Sequence, residues 1–363
     1  MPGPYADYQF RLAVLSPVAT DSPFDSDTLW GRLICALMTG TRAERDLGKD
    51  WLGELQALRP QSPGDWQPPL LVSEGFPCDD HGTPWLPMPL AAKLKLEQGV
   101  VPKMRKVAKK IQSVPLDVFS RSCQSDVPLD ELIALQARCP SVKPALYSHL
   151  AMNRASNTGR EGMLFVTAAH THSALPQAYD DRVATRPANV CKPAPGEIVF
   201  LLRLRDRESL NLIESALRSI CREGWGSAKS RGLGRLEFKS LEMWQAPVFA
   251  AQPNAFVSLS SFCPAAHDPT DGCWKLEVKN PVPAQFVDGH RVALGEEETW
   301  RVKSFLRLRV GSCFRLRGGE PRDYYGRMLG NLLDPAEDGE GVRLPPLFHY
   351  ALAFPVPMRW PED

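Results

Sequence analysis

The sequence predicts an α+β fold arranged as two successive domains, and three observations support this prediction. Segments that alternate apolar and polar residues, the pattern of half-buried strands, recur along the chain from residues 8–14 onward. Two segments, residues 27–38 and 207–222, instead place their apolar residues at the spacing of one helix face. The stretch QAPVFAAQP at 245–253 then separates two series of elements. A chain of 363 residues is long enough for two domains.

The first domain is predicted to span residues 1–244. Its strand at 8–14 is followed by the helix at 27–38, for which Asp25, Ser26 and Asp27 are N-cap candidates. The proline-rich residues 59–90 are predicted to form short strands joined by loops, and strand-like alternation returns at 198–204 and 235–239. The order strand, helix, strands, helix, strand is that of a split βαβ, ferredoxin-like unit.

An insertion into this first domain is predicted at about residues 99–160. It begins with a basic stretch, continues with a segment punctuated by prolines, and ends in the polar run NRASNTGREG. The next residues, GMLFVTAA at 162–169, again have strand character. We therefore expect the insertion to project from the first domain rather than to form a separate core.

The second domain is predicted to span residues 254–363. Strands are expected at 274–278, 302–310 and 348–354, where apolar and polar residues alternate. One weaker helical candidate lies near Tyr324–Leu333. A second α+β unit is the natural interpretation of this half.

Charge distribution is more informative than the net charge of +1. Two runs contain cations and no acid, and residues 222–239 carry five positive and two negative side chains. One run can be an ordinary solvated face, but three runs near turn or loop signals favour phosphate binding. The two acid-free runs are Lys103, Arg105, Lys106, Lys109 and Lys110, and Arg301, Lys303, Arg307, Arg309, Arg315 and Arg317.

Other features of the sequence favour a cytoplasmic protein without a metal or cofactor. The nine cysteines include no CxxC pair, which argues against a disulfide framework and against a zinc ribbon. No segment approaches the roughly eighteen apolar residues of a membrane helix. The first residues lack the basic and apolar regions of a secretory signal, so none is expected.

The most specific motif is a glycine-rich loop at residues 224–235, GWGSAKSRGLGR, between the predicted helix and the following strand. Glycines permit positive φ angles and close backbone approach, so their N–H groups are expected to face phosphate oxygens. Lys229, Ser230 and Arg231 add charge and hydrogen-bond donors. A P-loop is excluded because a P-loop follows a strand and opens a helix. Trp225 is interpreted either as a stacking platform for a base or as an anchor of the loop in the core.

The loop GWGSAKSRGLGRLEF resembles the C-terminal glycine-rich signature of RAMP proteins, the RNA-binding subunits of CRISPR systems. Further segments narrow the resemblance to the Csm-four family of type III-A effectors. Residues about 320–345 and the acidic run at 296–298 have no counterpart in it. The similar segments are SDTLWGRLICALM (Ser26–Met38), WLPMPLAAKLKL (Trp85–Leu96), MRKVAKKIQSVPLDVF (Met104–Phe119), Asn153-Arg154 followed by GMLF (Gly162–Phe165), SLSSFCPA (Ser258–Ala265), VKSFLRLRVGSCF (Val302–Phe314) and HYALAFPVP (His349–Pro357).

The resemblance implies two tandem ferredoxin-like (RRM-like, βαββαβ) domains, with the basic insertion acting as a thumb in the first. It also implies a non-catalytic subunit of a prokaryotic antiviral effector that holds the 5′ repeat handle of the crRNA. The implied protein partners are the large Cas polymerase/nuclease subunit and the adjacent backbone RAMP subunit. The implied RNA contacts are Gly224, Trp225, Gly226, Lys229, Ser230, Arg231, Gly232 and Gly234 in the loop, with Asn153, Arg154, Lys103, Arg105, Lys109 and Lys110 in the thumb.

Two alternatives remain open at this point. A metal-independent endoribonuclease of the same superfamily would need a general base near the ribose, and His170 and His172 are the best candidates. Because residues two apart on a strand share a face, the same pair could form half of a metal site. The other alternative is a scaffold that binds only proteins.

Overall fold

The structure is a computed structural model that describes residues 5–19, 24–57, 66–153, 158–176, 196–227, 229–280, 286–287, 290–291, 304–316, 321–330 and 348–361. Within these ranges it contains seven α-helices and 21 β-strands. Two short 3-10 turns, Arg207–Ser209 and Lys229–Arg231, lie near the seventh helix. No helix in the described ranges is both long and apolar enough to cross a membrane.

The helices are α1 (Ser26–Thr39), α2 (Arg42–Ala57), α3 (Leu90–Gly99), α4 (Pro102–Lys110), α5 (Leu116–Ser122), α6 (Leu129–Gln136) and α7 (Leu210–Glu223). The strands are β1 (Ala6–Val14), β2 (Leu70–Val72), β3 (Phe76–Pro77), β4 (Trp85–Pro87), β5 (Ser113–Pro115), β6 (Pro140–Asn153), β7 (Thr158–Pro176), β8 (Gly196–Leu204), β9 (Leu236–Met243), β10 (Ala255–Ser258), β11 (Gly272–Cys273), β12 (Leu276–Lys279), β13 (Phe286–Val287), β14 (His290–Arg291), β15 (Phe305–Leu308), β16 (Cys313–Arg315), β17 (Tyr325–Gly326), β18 (Leu329–Gly330), β19 (Phe348–His349), β20 (Leu352–Ala353) and β21 (Pro355–Met358).

The first half of the chain is organised around an antiparallel sheet with the strand order β2–β8–β1–β9, and β3 also pairs with β8. The central strands β1 and β8 are in register from Ala6↔Leu204 to Val14↔Gly196. Helix α1 follows β1, and α7 connects β8 to β9. The element order predicted for this half is therefore found, including the strands at 8–14 and 198–204.

Helices α1 and α7 each bury one apolar face. In α7, Ile213, Leu217 and Ile220 are buried, which is the spacing that predicted the helix. The Asp206 carboxylate starts this helical segment, since it accepts the Glu208 N–H at 3.0 Å. Helix α7 ends where Gly224 takes a φ of +81°.

The predicted insertion consists of helices followed by a long hairpin. Helices α4, α5 and α6, which the sequence pattern did not predict, come first. The paired strands β6 and β7 follow and extend to Pro176, beyond the expected boundary near 160. At about 3.3 Å per residue, the fourteen residues of β6 span about 45 Å. The hairpin is therefore long enough to act at a distance from the core.

The second half contains a sheet with the order β11–β16–β10–β21 and several two-stranded pairs. The expected strands at 274–278, 302–310 and 348–354 correspond to β12, β15 and the β19–β20 region. The helix expected near Tyr324–Leu333 is wrong, because Tyr325–Gly326 pairs with β20 and Leu329–Gly330 pairs with β19. Among the described residues after 244, none is helical.

One hydrophobic cluster includes side chains from both halves of the chain. The rings of Trp30 and Tyr350 are stacked with centroids 5.9 Å apart. The Val72 N–H donates to Tyr350 Oη at 2.8 Å, and the Glu74 N–H donates to the Leu259 carbonyl at 2.8 Å. The two halves therefore pack closely against each other, while the proposed boundaries at 244 and 254 stay a prediction.

Candidate nucleic-acid interface

Four glycines give the glycine-rich loop its shape. Gly224, Gly226, Gly232 and Gly234 have φ angles of +81°, +79°, +84° and +70°. A Cβ on Gly234 would lie 1.8 Å from the carbonyl oxygen of Trp225, so only glycine fits there. The Trp225 N–H in turn donates to the Gly234 carbonyl at 2.7 Å. The two ends of the loop are thereby held against each other.

The backbone amides of three of these glycines point into the protein rather than toward solvent. Gly224 donates to the Ile220 carbonyl, Gly232 to Lys229, and Gly234 to Pro17, at 3.1, 3.0 and 2.7 Å. This corrects the expectation that these N–H groups face phosphate oxygens, because each already has a protein acceptor. At these positions the glycines shape the loop, and phosphate contacts would have to come from the side chains it carries.

Trp225 anchors the loop in the core. Its side chain is only 1% exposed, and its ring lies 5.1 Å from that of Phe24 and 6.0 Å from that of Phe200. The alternative of a stacking platform is wrong, since a base cannot reach a ring enclosed on this scale. Trp225 is therefore not expected to contact RNA.

The loop presents Lys229, Ser230 and Arg231 on an exposed 3-10 turn. Partial burial and the neighbouring Arg32 guanidinium lower the pKa of Lys229. Two cations held close together repel one another, and a bound anion would relieve that repulsion. This turn is thus the part of the loop best suited to hold a phosphate.

Arg32 of α1 holds the start of the glycine-rich loop through contacts of its guanidinium, a role that the sequence pattern did not predict. Its guanidinium donates to the Gly224 carbonyl at 2.5 Å and to Glu223 Oε2 at 3.2 Å, and it lies 5.3 Å from the centre of the Trp225 ring. Arg32 and Gly224 are 192 residues apart, so no local spacing could link them.

The glycine-rich loop lies next to the base of the β6–β7 hairpin. Residues 17–19 run between the two and pair with both, because Val18 bridges to His170 of β7 and Ala19 bridges to Ser227 of the loop. At the far end of the hairpin, Asn153 is the last residue of β6, whereas Arg154 lies outside the described residues. The structure therefore connects the loop with the root of the predicted thumb.

Helix α4 carries the first basic run. Lys103, Arg105, Lys106, Lys109 and Lys110 are all exposed, and Ala108 is the residue of the helix that is buried. The C-terminal end of α4 is capped by the buried Lys93, whose ammonium donates to the Lys109 and Ile111 carbonyls at 3.0 and 2.6 Å. The expected phosphate ligands Lys103, Arg105, Lys109 and Lys110 are thus solvent-accessible on one rigid helix.

No family model matches the sequence, and no curated protein matches it either. Solved structures do match. A chain of the Csm3-Csm4 subcomplex in the type III-A CRISPR-Cas interference complex superimposes with a TM-score of 0.52 and 12% identity, covering 94% of this chain and 98% of that one. This chain folds like a subunit of a type III-A CRISPR-Cas complex.

Two further structures are similar at lower TM-scores. The Csm1-Csm4 cassette in complex with pppApA matches with a TM-score of 0.49 and 17% identity over 98% of this chain and all of that chain. The type III-B Cmr-beta complex bound to cognate target RNA and AMPPnP matches with a TM-score of 0.39 and 12% identity, covering 85% of this chain and 86% of that one. The expected resemblance to a type III-A effector subunit is confirmed at the level of the fold by the Csm3-Csm4 chain.

His172, one of the two candidates for nuclease chemistry, is poorly placed for it in this fold. The His172 ring is buried and packs edge-on against Phe24, with centroids 5.1 Å apart. The backbone of His170 is engaged with Val18 in both directions, at 2.8 and 2.9 Å. In the part of the chain that the structure describes, no group of three histidine, cysteine or acidic residues could hold a metal ion.

Because His172 is buried, the free energy of unfolding is expected to depend on pH. Burial, with a smaller effect of His170, lowers its pKa from 6.5 to about 4. The neutral ring thus stabilises the fold above pH 6.5, and this contribution is lost as the pH falls toward 4. By linkage, the free energy of unfolding of the wild type relative to a His172→Leu variant should fall by about 3 kcal/mol between pH 7 and pH 4. Urea titrations of the wild type and His172→Leu at both pH values measure this change, and an unchanged difference between the two proteins would contradict the assignment.

Arg307, in the middle of the second basic run, is not part of a phosphate-binding surface. Arg307 is buried and pairs with Asp25 Oδ2 at 2.9 Å, Asp27 Oδ1 at 3.2 Å and Glu277 Oε1 at 2.6 Å. Lys279 adds contacts to the same two aspartates at 2.7 and 3.1 Å. Of the three N-cap candidates, Asp25 is the N-cap residue of α1, but its side chain makes no capping hydrogen bond. The carboxylates of Asp25 and Asp27 pair instead with cations of the second half. Arg301, Lys303 and Arg317 lie outside the described residues.

Two more titratable groups border this ion cluster. Burial and the Asp25 carboxylate raise the pKa of Glu74 to about 8, against the opposing effect of Arg307. Burial lowers the pKa of His349 to about 4, although its Nε2 lies 3.3 Å from Asp27 Oδ2, without hydrogen-bond alignment. The cluster therefore joins the N-terminal end of α1 to the β12–β15 strand pair through buried charges.

Proposed function

We propose that this chain is a non-catalytic subunit of a type III CRISPR effector that holds the 5′ repeat handle of the crRNA and takes part in antiviral defence. The observation that carries the proposal is the exposed basic turn Lys229–Arg231, raised on a loop whose glycines and buried Trp225 fix its conformation. A rigid loop can present two cations and a hydroxyl to successive phosphates with little loss of conformational entropy.

The position of this turn supports the same proposal. It lies near the root of the β6–β7 hairpin, and helix α4 offers a second exposed basic surface. Basic surfaces of this kind follow a single-stranded backbone without reading its sequence. One of the similar solved structures is a chain of a type III-A interference complex, which adds support from the fold.

The same proposal includes the finer architecture, two fused ferredoxin-like domains. The strand order β2–β8–β1–β9, with α1 and α7 as the connecting helices, supports it in the first half. In the second half the support is the antiparallel sheet β11–β16–β10–β21. The proposed protein partners are the large Cas polymerase/nuclease subunit and the adjacent backbone RAMP subunit.

Binding of a labelled RNA that carries the cognate handle tests this function. We expect tight binding by the wild type and intact RNA on a gel. The affinity should be weaker by about a hundredfold or more for Lys229→Ala with Arg231→Ala, because each of the two lost charged contacts contributes about 1.5 kcal/mol or more. The matched control is Arg42→Ala with Lys49→Ala, which removes two exposed cations from α2 and should bind like the wild type.

Three outcomes would contradict the proposal in different ways. Cleaved RNA would favour an endoribonuclease. An affinity unchanged by the loop variant would show that the phosphates are held elsewhere. A wild type that binds no handle RNA, yet still binds its protein neighbours, would leave a scaffold as the better account.

A further inference from the structure

A cleft with a volume of about 520 Å³ opens between helix α7 and strand β9. Arg218 and Arg222, one helical turn apart on α7, lie on one side of it. Leu236 and Phe238, which share a face of β9, lie on the other side. Sites for small ligands have volumes of about 300–1,000 Å³. The cleft is therefore large enough for a small molecule or for one nucleotide of a strand.

The Arg218 guanidinium is fixed over an aromatic ring. It lies 3.9 Å from the centre of the Phe238 ring, and its Nε and Nη2 donate to Glu214 Oε1 at 3.0 and 2.6 Å. The Phe238 ring in turn packs on Phe10, with centroids 5.7 Å apart. The Arg218 side chain is nevertheless 54% exposed. A planar guanidinium that is both fixed and exposed is a surface on which a nucleic-acid base can stack with little ordering cost.

The cleft also contains a cation that is available to a phosphate. Arg222 is exposed, and it pairs with no acid in the part of the chain that the structure describes. Glu237, an acid of the cleft lining, is paired with Lys239 at 3.0 Å. The charge of Arg222 is therefore not neutralised by a described neighbour, and an anionic ligand would be favoured beside it.

The cleft lies at the base of the glycine-rich loop. Arg222 and Leu236 of its lining flank the loop at residues 224–235 on either side in the chain. Burial raises the pKa of the Cys221 thiol, also in the lining, to about 12, and the nearby Arg32 guanidinium opposes this shift. The same guanidinium holds the start of the loop. An RNA strand held by the exposed turn of the loop can therefore reach the cleft.

We propose that this cleft binds one nucleotide of the guide RNA, with the base stacked on Arg218 and a phosphate held by Arg222. This inference rests on the proposed function, because it assumes that the neighbouring loop holds the guide RNA. It adds contact with a base to a loop that offers contacts to phosphates. A peptide strand added to β9, the last strand of its sheet, fits less well. The strand carries Glu237, Lys239 and Glu242, and charged side chains on an edge strand disfavour pairing with another chain.

An abasic scan of the handle RNA tests this proposal with the full chain. Each handle nucleotide is replaced in turn by an abasic ribose, and affinities are measured for the wild type and for Arg218→Ala. We expect one position at which the missing base weakens wild-type binding by about tenfold. Because that base has no platform in Arg218→Ala, the same RNA should bind this variant with no further loss. Arg42→Ala is the matched control and should give the wild-type pattern, since Arg42 is an exposed helical arginine with an i,i+4 partner, Asp46.

Arg218→Lys distinguishes stacking from charge. Lysine keeps the positive charge but has no planar guanidinium. The affinity for the unmodified handle should therefore fall by about tenfold, as in Arg218→Ala, while the slope of log K against log salt stays at the wild-type value. Thermal unfolding of both variants shows that they are folded. Wild-type affinity in Arg218→Lys would overturn the stacking of a base on Arg218.

The possible results separate this inference from the proposed function. An abasic scan that is the same in the wild type and Arg218→Ala, with the loop variant still impaired, would overturn the nucleotide site and leave the role of the loop intact. A free nucleoside monophosphate that binds only when Arg218 is present, without a coupled position in the scan, would assign the cleft to a free nucleotide instead. Weaker binding of a protein subunit by Arg218→Ala, with an unchanged scan, would assign the cleft to a protein. A wild type that binds no handle RNA would contradict the proposed function and this inference with it.

Discussion

Replacing Arg307 by methionine is expected to lower the free energy of unfolding by about 3–5 kcal/mol, the usual cost of removing one partner from a buried ion cluster. The guanidinium contacts Asp25, Asp27 and Glu277, all within 3.2 Å. Without it, two buried aspartates would depend on Lys279 alone among the cations described around them. Because methionine retains much of the volume of the arginine side chain, the loss of stability would come from the missing charge rather than from lost packing.

The neighbouring Arg309 provides the matched control for this prediction. Its side chain is 55% exposed and pairs with Glu277 at 3.2 Å. An exposed pair contributes about 0–1 kcal/mol, so Arg309→Met should change stability by less than about 1 kcal/mol. Chemical denaturation of both variants checks the contrast. Equal losses in the two variants would show that the cluster around Arg307 does not stabilise the contact between the two halves.

The second large effect is expected for Gly234→Ala in the glycine-rich loop. A Cβ there would lie 1.8 Å from the Trp225 carbonyl oxygen and 2.9 Å from its carbonyl carbon, at a φ of +70°. The loop must open to admit the methyl group, which breaks the Trp225–Gly234 hydrogen bond. We expect the free energy of unfolding to fall by about 3 kcal/mol or more, which is in the range of the most damaging backbone substitutions.

Comparison with Gly232→Ala distinguishes the cost of a steric clash from the cost of an unfavourable backbone conformation. Gly232 also has a positive φ, +84°, but no atom lies within 4 Å of the added methyl group. The free energy of unfolding of Gly232→Ala should therefore fall only by the conformational cost of the positive φ, about 1–2 kcal/mol. Thermal unfolding of the two variants measures the difference. If Gly232→Ala were as damaging as Gly234→Ala, the close contact at Trp225 would not be what holds the loop.

Local pattern predicted the elements that have strong periodicity and clear boundaries. Strand β1, helices α1 and α7, and the glycine-rich loop between α7 and β9 lie where alternation, helical spacing and glycine content indicate them. Helices α2 to α6 were missed, because they lie in segments where prolines or charged residues obscure the apolar pattern. For such short helices, packing against the rest of the fold is a stronger determinant than local sequence.

The roles of particular residues depend on contacts that sequence spacing does not contain. The run around Arg307 has the composition of a phosphate-binding surface. The Arg307 side chain is nevertheless buried, because it pairs with Asp25 and Asp27, which lie 282 and 280 residues away in the chain. Trp225 could not be assigned from the loop sequence, since an exposed ring and a buried anchor have the same neighbours in the chain. By contrast, Lys229, Arg231 and the cations of α4 are exposed, as the clustering of cations near loop signals suggested.

The salt dependence of handle-RNA binding tests the central claim most directly. On a single strand, the slope of log K against log salt changes by about 0.7 for each phosphate neutralised. Lys229→Ala with Arg231→Ala should make this slope shallower by about 1.4, while Arg42→Ala with Lys49→Ala should leave it at the wild-type value. A loop variant with the wild-type slope would contradict the claim that the glycine-rich loop holds the phosphates of the guide RNA.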